Sequence, residues 1–193
     1  MKRLILAGAA TATTLLLIVG PVTAAGERVA PAFDGSCELS GVATFDHPVT
    51  NAPESNGGTF RSHKGLANCV GDLSAGGRDL GSGTWPVRAH ARATGTFSCA
   101  SGSLTGRARI VVLGDDGRAI KVRGKRVRGW ARIEMQHAVA SGSISFLGRR
   151  DSRAEGVYNF TPSAAAIANC AAKGDKQLPM AVRFTTTGKF RTR

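Results

Sequence analysis

The sequence predicts an all-β fold, either a single antiparallel β-sandwich or a closed or partly closed β-barrel of about nine to eleven short strands. Three observations predict it. Glycine is abundant, at 25 of 193 residues, and is interleaved with Thr, Ser and Val. Turn residues recur at intervals of about ten residues. No stretch has the sustained periodicity of an amphipathic helix.

The N-terminal segment is typical of a secretory signal peptide. Two basic residues precede an apolar run over 4–20, and small residues follow around Ala24. We therefore expect 1–24 to be a cleaved signal, 25–36 a lead-in segment, and 37–193 one β domain. The rest of the chain lacks an apolar run of about 18 residues, so we expect no stable membrane insertion after cleavage. The expected location is secreted, either extracellular or associated with the cell wall.

Four cysteines in a chain with an export signal predict two disulfides. They include no Cys-x-x-Cys pair, which disfavours a zinc site, and we expect neither a metal nor a cofactor. A faint internal repeat relates Ser-Cys and Ala-Asn-Cys segments in the two halves of the chain. Among the three pairings that four cysteines allow, this repeat favours Cys37 with Cys69 and Cys99 with Cys170.

Alternation of apolar and polar residues places the individual strands. They are expected over 37–45, 59–63, 66–70, 82–97, 104–135 (several strands), 139–147, 154–161 and 178–187. Loops rich in Gly or Pro are expected at 46–58 and 71–81, with a bulge at Gly41 and an interruption near Pro86. An Ala-rich stretch at 163–168 predicts one helical turn.

Several short motifs resemble a known family. They are Cys-x-Leu-Ser-Gly-x-Ala-Thr-Phe at 37–45, Asn-Cys at 68–69, Ser-Cys at 98–99, Ile-Val-Val with an Asp-Gly turn at 110–117, Val-Ala-Ser-Gly-Ser-Ile at 139–144, Phe-Thr-Pro at 160–162, and Cys170. Together they resemble the secreted four-cysteine β proteins of actinobacteria, most of them uncharacterised. The resemblance implies a secreted β fold and brings no activity with it. The chain departs from that pattern because it lacks a Trp before Asp116 and because the next hairpin is more basic.

The most basic part of the chain lies at 107–132, with nine basic and two acidic residues. An Asp-Gly turn and a Gly-Lys turn predict a three-stranded meander there, with Leu113 opposite Ala119 and Arg123 opposite Arg126. This register places the aliphatic residues on one face, namely Ala108, Ile110, Val112, Ile120, Val122, Val127, Ala131 and Ile133. The other face carries the candidate polyanion-binding residues, Arg107, Arg109, Lys121, Arg123, Arg126, Arg128, Trp130 and Arg132.

Cations that face each other without carboxylates between them predict an anionic ligand, because like charges directly opposite on a sheet are destabilising. Trp130 is expected opposite Ala119, with its ring between Arg128 and Arg132. We therefore predict a non-enzymatic protein that binds an extracellular polyanion, such as a cell-wall polymer, an acidic glycan or a nucleic acid. The residues do not choose among these ligands, and they do not give the oligomeric state.

Three alternatives stay open at the level of the sequence. The arginines can form a plain solvated surface, with their aliphatic stems covering the indole. A small hydrolase or nuclease can use His63 or His90, although no nucleophile elbow or metal-binding His motif is present and no catalytic set is predicted. A barrel of this length can also carry a small apolar ligand.

Overall fold

The computed structural model describes residues 31–138, 141–147, 153–160 and 175–189. Within them the chain forms ten strands: β1 (Pro31–Val49), β2 (Glu54–Ala75), β3 (Arg78–Phe97), β4 (Ser101–Val112), β5 (Lys121–Val122), β6 (Lys125–Arg126), β7 (Arg128–Ala138), β8 (Ser141–Leu147), β9 (Arg153–Phe160) and β10 (Asp175–Lys189). The predicted signal peptide, the predicted helical turn and Cys170 lie outside the described residues.

Eight of these strands form a closed antiparallel barrel, and β5 and β6 form a separate two-stranded sheet. Each barrel strand pairs with the next barrel strand along the chain, and β10 pairs with β1 to close the ring. The all-β prediction is confirmed, and of the two expected architectures the chain adopts the barrel. Side chains at alternate positions fill the interior, which holds a continuous apolar core that runs from Phe33 to Phe184 along the chain.

The first three strands are longer than the sequence predicts. β1 begins at Pro31, inside the predicted lead-in, and the two predicted Gly- and Pro-rich loops are largely strand. Gly35 of β1 lies opposite Gly71 of β2, and a Cβ on Gly71 would lie 2.1 Å from the carbonyl oxygen of Asp34. Glycine in these strands therefore permits two backbones to approach closely. The glycine content of the segments had predicted loops instead.

Cys37 and Cys69 form a disulfide between β1 and β2, as predicted. The two residues lie directly opposite each other, with Cα atoms 4.0 Å apart, and both are buried in the barrel. Cys99 is also disulfide-bonded. Its predicted partner, Cys170, lies outside the described residues.

The predicted three-stranded meander is wrong, because β4 pairs directly with β7 and the residues between them leave the barrel wall. The first turn is correct, since Leu113 bridges Ala119. The second turn is displaced by one residue, with its centre at Arg123 and Gly124. Their φ angles of 50° and 75° are both positive, as in the type I′ turn, whose twist suits a two-residue hairpin. The predicted aliphatic face nevertheless points inward, with Ile120 only partly buried.

Candidate functional site

The outward side chains of β3, β4 and β7, with one residue of β2, form a surface rich in arginine that we call the basic wall. Because inward and outward positions alternate along a strand, the buried aliphatic residues and these cations occupy the two sides of the same strands. The basic wall consists of Arg61, Arg88, His90, Arg92, Arg107, Arg109, Arg128, Trp130 and Arg132. Of the predicted site residues, Arg107, Arg109, Arg128, Trp130 and Arg132 lie on it.

Antiparallel register arranges the basic wall in rows across the strands. Arg92 lies opposite Arg107, which lies opposite Arg132 in turn, and we call these three the central arginine row. Neighbouring strands are about 4.8 Å apart, so the backbone positions of three arginines lie side by side. A second row contains Arg61 and His90, which lie opposite each other, and continues across β4 and β7. A third row contains Arg88 and Arg128. Each of these rows lies about 6.8 Å along the strands from the row before it.

Acidic residues are scarce on these strands. Segments 88–112 and 128–138 contain one, Glu134. Its Oε1 atom lies 3.5 Å from Nε of Arg132, and both side chains are about half-exposed, at 45% and 60%. An ion pair this exposed is strongly screened by water and contributes little to stability. The charge of the central arginine row is therefore not offset by an equal number of carboxylates on its own strands.

Trp130 lies on β7, at the edge of the basic wall. The guanidinium carbons of Arg109 and Arg128 are 5.9 and 5.8 Å from the centroid of its ring, which is cation–π geometry. The residue opposite Trp130 is Arg109 rather than the predicted Ala119, because β4 and β7 pair directly. The indole therefore contacts two guanidinium groups, of which only that of Arg128 was predicted to flank it.

Residues 113–127 form an excursion between β4 and β7 that we call the rim hairpin. It contains five further basic residues, Arg118, Lys121, Arg123, Lys125 and Arg126. Val122 and Val127 are buried, so the rim hairpin packs against the core instead of projecting into solvent. Lys121, Arg123 and Arg126 therefore belong to the end of the barrel, whereas the sequence predicted them on one face with Arg107.

Sequence reasoning missed the contribution of β2 and β3 to the basic wall. A signal was present in β3, where Arg-Ala-His-Ala-Arg-Ala at 88–93 alternates strictly between charged or polar residues and alanine. Such alternation predicts a strand with one basic face. The sequence did not predict which strand pairs with this one. The pairing places Arg92 opposite Arg107 and His90 opposite Arg109, and it depends on the register of the whole sheet.

His90, one of the two histidines considered for acid–base chemistry, lies between Arg61 and Arg109 in its row. Burial, and then the positive charges of Arg109 and Arg61, lower its pKa below the ordinary value of 6.5. Its neighbours are thus cations, whereas a catalytic imidazole needs a carboxylate or a second imidazole to orient it and share the proton. His63 is exposed on β2, where the pairing with β3 is interrupted.

A third histidine, His137, faces the barrel interior and is 5% exposed. Its ring stacks on Phe97, with centroids 4.6 Å apart, and its Nε2 atom is 3.3 Å from the carbonyl oxygen of Cys99. Burial lowers its pKa, although the carbonyl groups of Cys99 and Ser141 partly oppose that effect. This imidazole is therefore packed among the aromatic rings of Phe97, Tyr158 and Phe160.

The barrel interior is filled by side chains. The cavity at the Phe45 and Phe160 end has a volume of about 40 Å³, close to the space of a single water molecule. Pockets that hold small organic ligands are roughly ten times larger. This cavity is therefore too small for the apolar ligand that the sequence left as an alternative.

The wall on the other side of the ring is built from the outward side chains of β1, β9 and β10, and we call it the opposite wall. Glu38 and Arg183 form an ion pair there, with Oε1 and Nη2 2.9 Å apart. A shallow groove of about 440 Å³ runs beside this pair, and the exposed side chains of Leu66 and Val70 line its β2 edge. On the opposite wall an arginine therefore lies opposite a glutamate, whereas Arg107 on the basic wall lies between two arginines.

Other classes of site have little support in the part of the chain that the structure describes. No group of three or more His, Cys, Asp or Glu side chains is placed to hold a metal ion among these residues. Nor does any helix formed by them have the length and apolar character needed to cross a membrane. No family model, curated protein or solved structure matches the chain.

Proposed function

We propose that this protein is a secreted, non-enzymatic binding protein that holds an extracellular polyanion on the basic wall. The observation that carries the proposal is the central arginine row, in which three arginines lie opposite one another on adjacent strands, with Glu134 paired to Arg132 at one end. Like charges directly opposite on a sheet cost a few tenths of a kcal/mol each. A bound polymer of negative charge removes that cost.

Arginine suits this role better than lysine does. All seven basic side chains other than His90 on the basic wall are arginines, whereas lysine occurs in the rim hairpin. The planar guanidinium group donates two parallel hydrogen bonds to a carboxylate, sulfate or phosphate group. Rows of such groups at fixed spacing favour a ligand with repeated anionic groups over a single small anion.

The proposal is tested by removing three charges from the basic wall and three from elsewhere. The wall variant carries Arg92→Ser, Arg107→Ser and Arg132→Ser, and the matched control carries Arg78→Ser, Lys176→Ser and Arg183→Ser. Binding to heparin is measured over a range of salt concentrations for both. We expect the slope of log K against log salt to fall by about 2 to 3 in the wall variant, since three fewer counterions are released.

The control variant keeps the original slope if the basic wall is the site. Equal losses in the two variants would mean that heparin responds to net charge alone, and the proposal would be abandoned.

A further inference from the structure

Beside the central arginine row lies a row of polar side chains that carries no cation. Thr94 of β3 lies opposite Thr105 of β4, which lies opposite Glu134 of β7. These residues occupy the next outward positions along the same three strands, about 6.8 Å from the arginines. Both threonines are exposed and Glu134 is partly exposed. A row of cations therefore runs parallel to a row of two hydroxyls and a carboxylate.

We propose that the ligand of the basic wall is an acidic polysaccharide, with its carboxylate or sulfate groups on the central arginine row and its ring hydroxyls against Thr94, Thr105 and Glu134. This inference rests on the proposed function and names the class of polymer. A sugar acid carries anionic and hydroxyl substituents on one ring, so it presents both kinds of group to two adjacent rows.

Glu134 distinguishes this ligand from DNA. A carboxylate only accepts hydrogen bonds, and the hydroxyl groups of a sugar donate them. The backbone of DNA has no such donors, so Glu134, which pairs with Arg132, gains no hydrogen bond from it and repels its phosphates. The carboxylate beside the arginines is therefore a cost for a phosphate polymer and a hydrogen-bond acceptor for a glycan.

The environment of the aromatic residue Trp130 also favours a glycan over a single-stranded nucleic acid. Proteins that hold single-stranded nucleic acids stack bases on exposed aromatic rings. Trp130 is only partly exposed, and the guanidinium groups of Arg109 and Arg128 lie over its ring. A base that stacked there would compete with these cation–π contacts.

The rim hairpin is also poorly placed to enter the major groove of duplex DNA. A two-stranded ribbon can enter the major groove, but the rim hairpin has buried valines at positions 122 and 127 that hold it against the core. The wall is the convex outside of a barrel, and a stiff rod touches such a surface along few phosphates. A flexible acidic chain can follow the rows.

The test compares four probes of defined length at equal salt: polygalacturonate and heparin oligosaccharides, inorganic polyphosphate, and a short DNA duplex. They are measured with the full chain, with a Thr94→Val and Thr105→Val double variant, and with Thr185→Val as a control on the opposite wall. Valine keeps the shape and strand preference of threonine, and thermal melts report whether each variant folds.

We expect one or both glycans to bind at least tenfold more tightly than polyphosphate or DNA of similar charge. The double variant should weaken glycan binding about tenfold, as expected for lost hydrogen bonds, and leave polyphosphate unchanged. Tighter binding of polygalacturonate would indicate that the arginines bind carboxylate groups, and tighter binding of heparin would indicate sulfate groups. Stronger binding of polyphosphate or DNA, or no effect of the double variant, overturns the glycan assignment and leaves a general polyanion site. Failure of all four probes to bind at low salt overturns the proposed function itself.

Discussion

The basic wall and the opposite wall are parts of one barrel with the same alternation of side chains, yet they differ in the residues that lie opposite their arginines. On the opposite wall, Arg183 pairs with Glu38 across adjacent strands at 2.9 Å. On the basic wall, Arg107 faces an arginine on each side. One barrel thus accommodates both a pair of opposite charges and a row of like charges. Because like charges opposite one another do not stabilise a sheet, this contrast is the reason that we propose a binding role for the arginine rows.

The largest expected effect separates stability from binding. The disulfide joins β1 to β2 across a separation of 32 residues, on strands away from the central arginine row. Replacing both Cys37 and Cys69 by alanine should lower the free energy of unfolding by about 3 to 4 kcal/mol, because the unfolded chain gains loop entropy. Chemical denaturation measures this loss. Heparin binding by the folded variant should be unchanged at room temperature, and weaker binding would show that the disulfide shapes the basic wall.

The sharpest comparison reverses one charge on each wall. Arg107→Glu should weaken heparin binding by about 10- to 100-fold at low salt, because one cation is lost and an anion is added at the centre of the row. It should also raise stability by a few tenths of a kcal/mol, since the new carboxylate lies between two arginines.

Arg183→Glu, the matched change on the opposite wall, should do the reverse. Binding should stay within about twofold, while stability falls by at most about 1 kcal/mol because an exposed ion pair is replaced by like charges. Heparin chromatography and thermal melts give both quantities. Similar binding losses in the two variants would erase the distinction between the walls.

A third prediction concerns the inner side of β7, which carries His137 beneath the basic wall. The folded state holds this imidazole neutral below the ordinary pKa of 6.5. The unfolded chain gains its proton first as the pH falls, so this residue should lower stability progressively below pH 6.5. His137→Phe should retain the ring packing and show a shallower loss of stability in acid. Equal pH dependence in denaturation curves would contradict the assignment.

The smallest effect should appear in the pH dependence of binding. A polyanion on the basic wall offsets the charges of Arg61 and Arg109, which lower the pKa of His90 in the free protein. Binding should therefore raise that pKa, and affinity should increase modestly as the pH falls through the range around 6.5. His90→Gln should remove the increase. NMR titration of His90 with and without heparin measures the shift directly, and an unchanged pKa would place the ligand elsewhere.

Much of this structure was predictable from local pattern. Alternation gave the all-β class and the inward aliphatic face, and the repeat around the cysteines gave the disulfide between Cys37 and Cys69. The all-β class and the aliphatic face depend on residues close together in the sequence. The disulfide prediction depends on the similarity of two short segments that contain cysteine. The predicted core face of β4 and β7 is correct although the predicted hairpin register is wrong, because the core face depends only on which residues are apolar.

The pairing of β4 with β7 was not predictable in the same way. Two consecutive turns read from local residues suggested a meander, but the rim hairpin is held by Val122 and Val127 packing at the end of the barrel. Arg123 at the turn centre also has a positive φ that is unusual for a side chain with a Cβ. Ring closure imposes the register between β4 and β7, and ring closure is a property of the whole chain.

The closed ring places the start of β1 beside the end of β10, with Ala32 opposite Lys189. A short peptide could join these two points without disturbing any ladder. The chain could then be cut at the exposed turn of Gly76 and Gly77, whose positive φ angles mark a tight hairpin. Such a circular permutant would keep every barrel pairing while its new ends lie in a turn that the barrel core does not need.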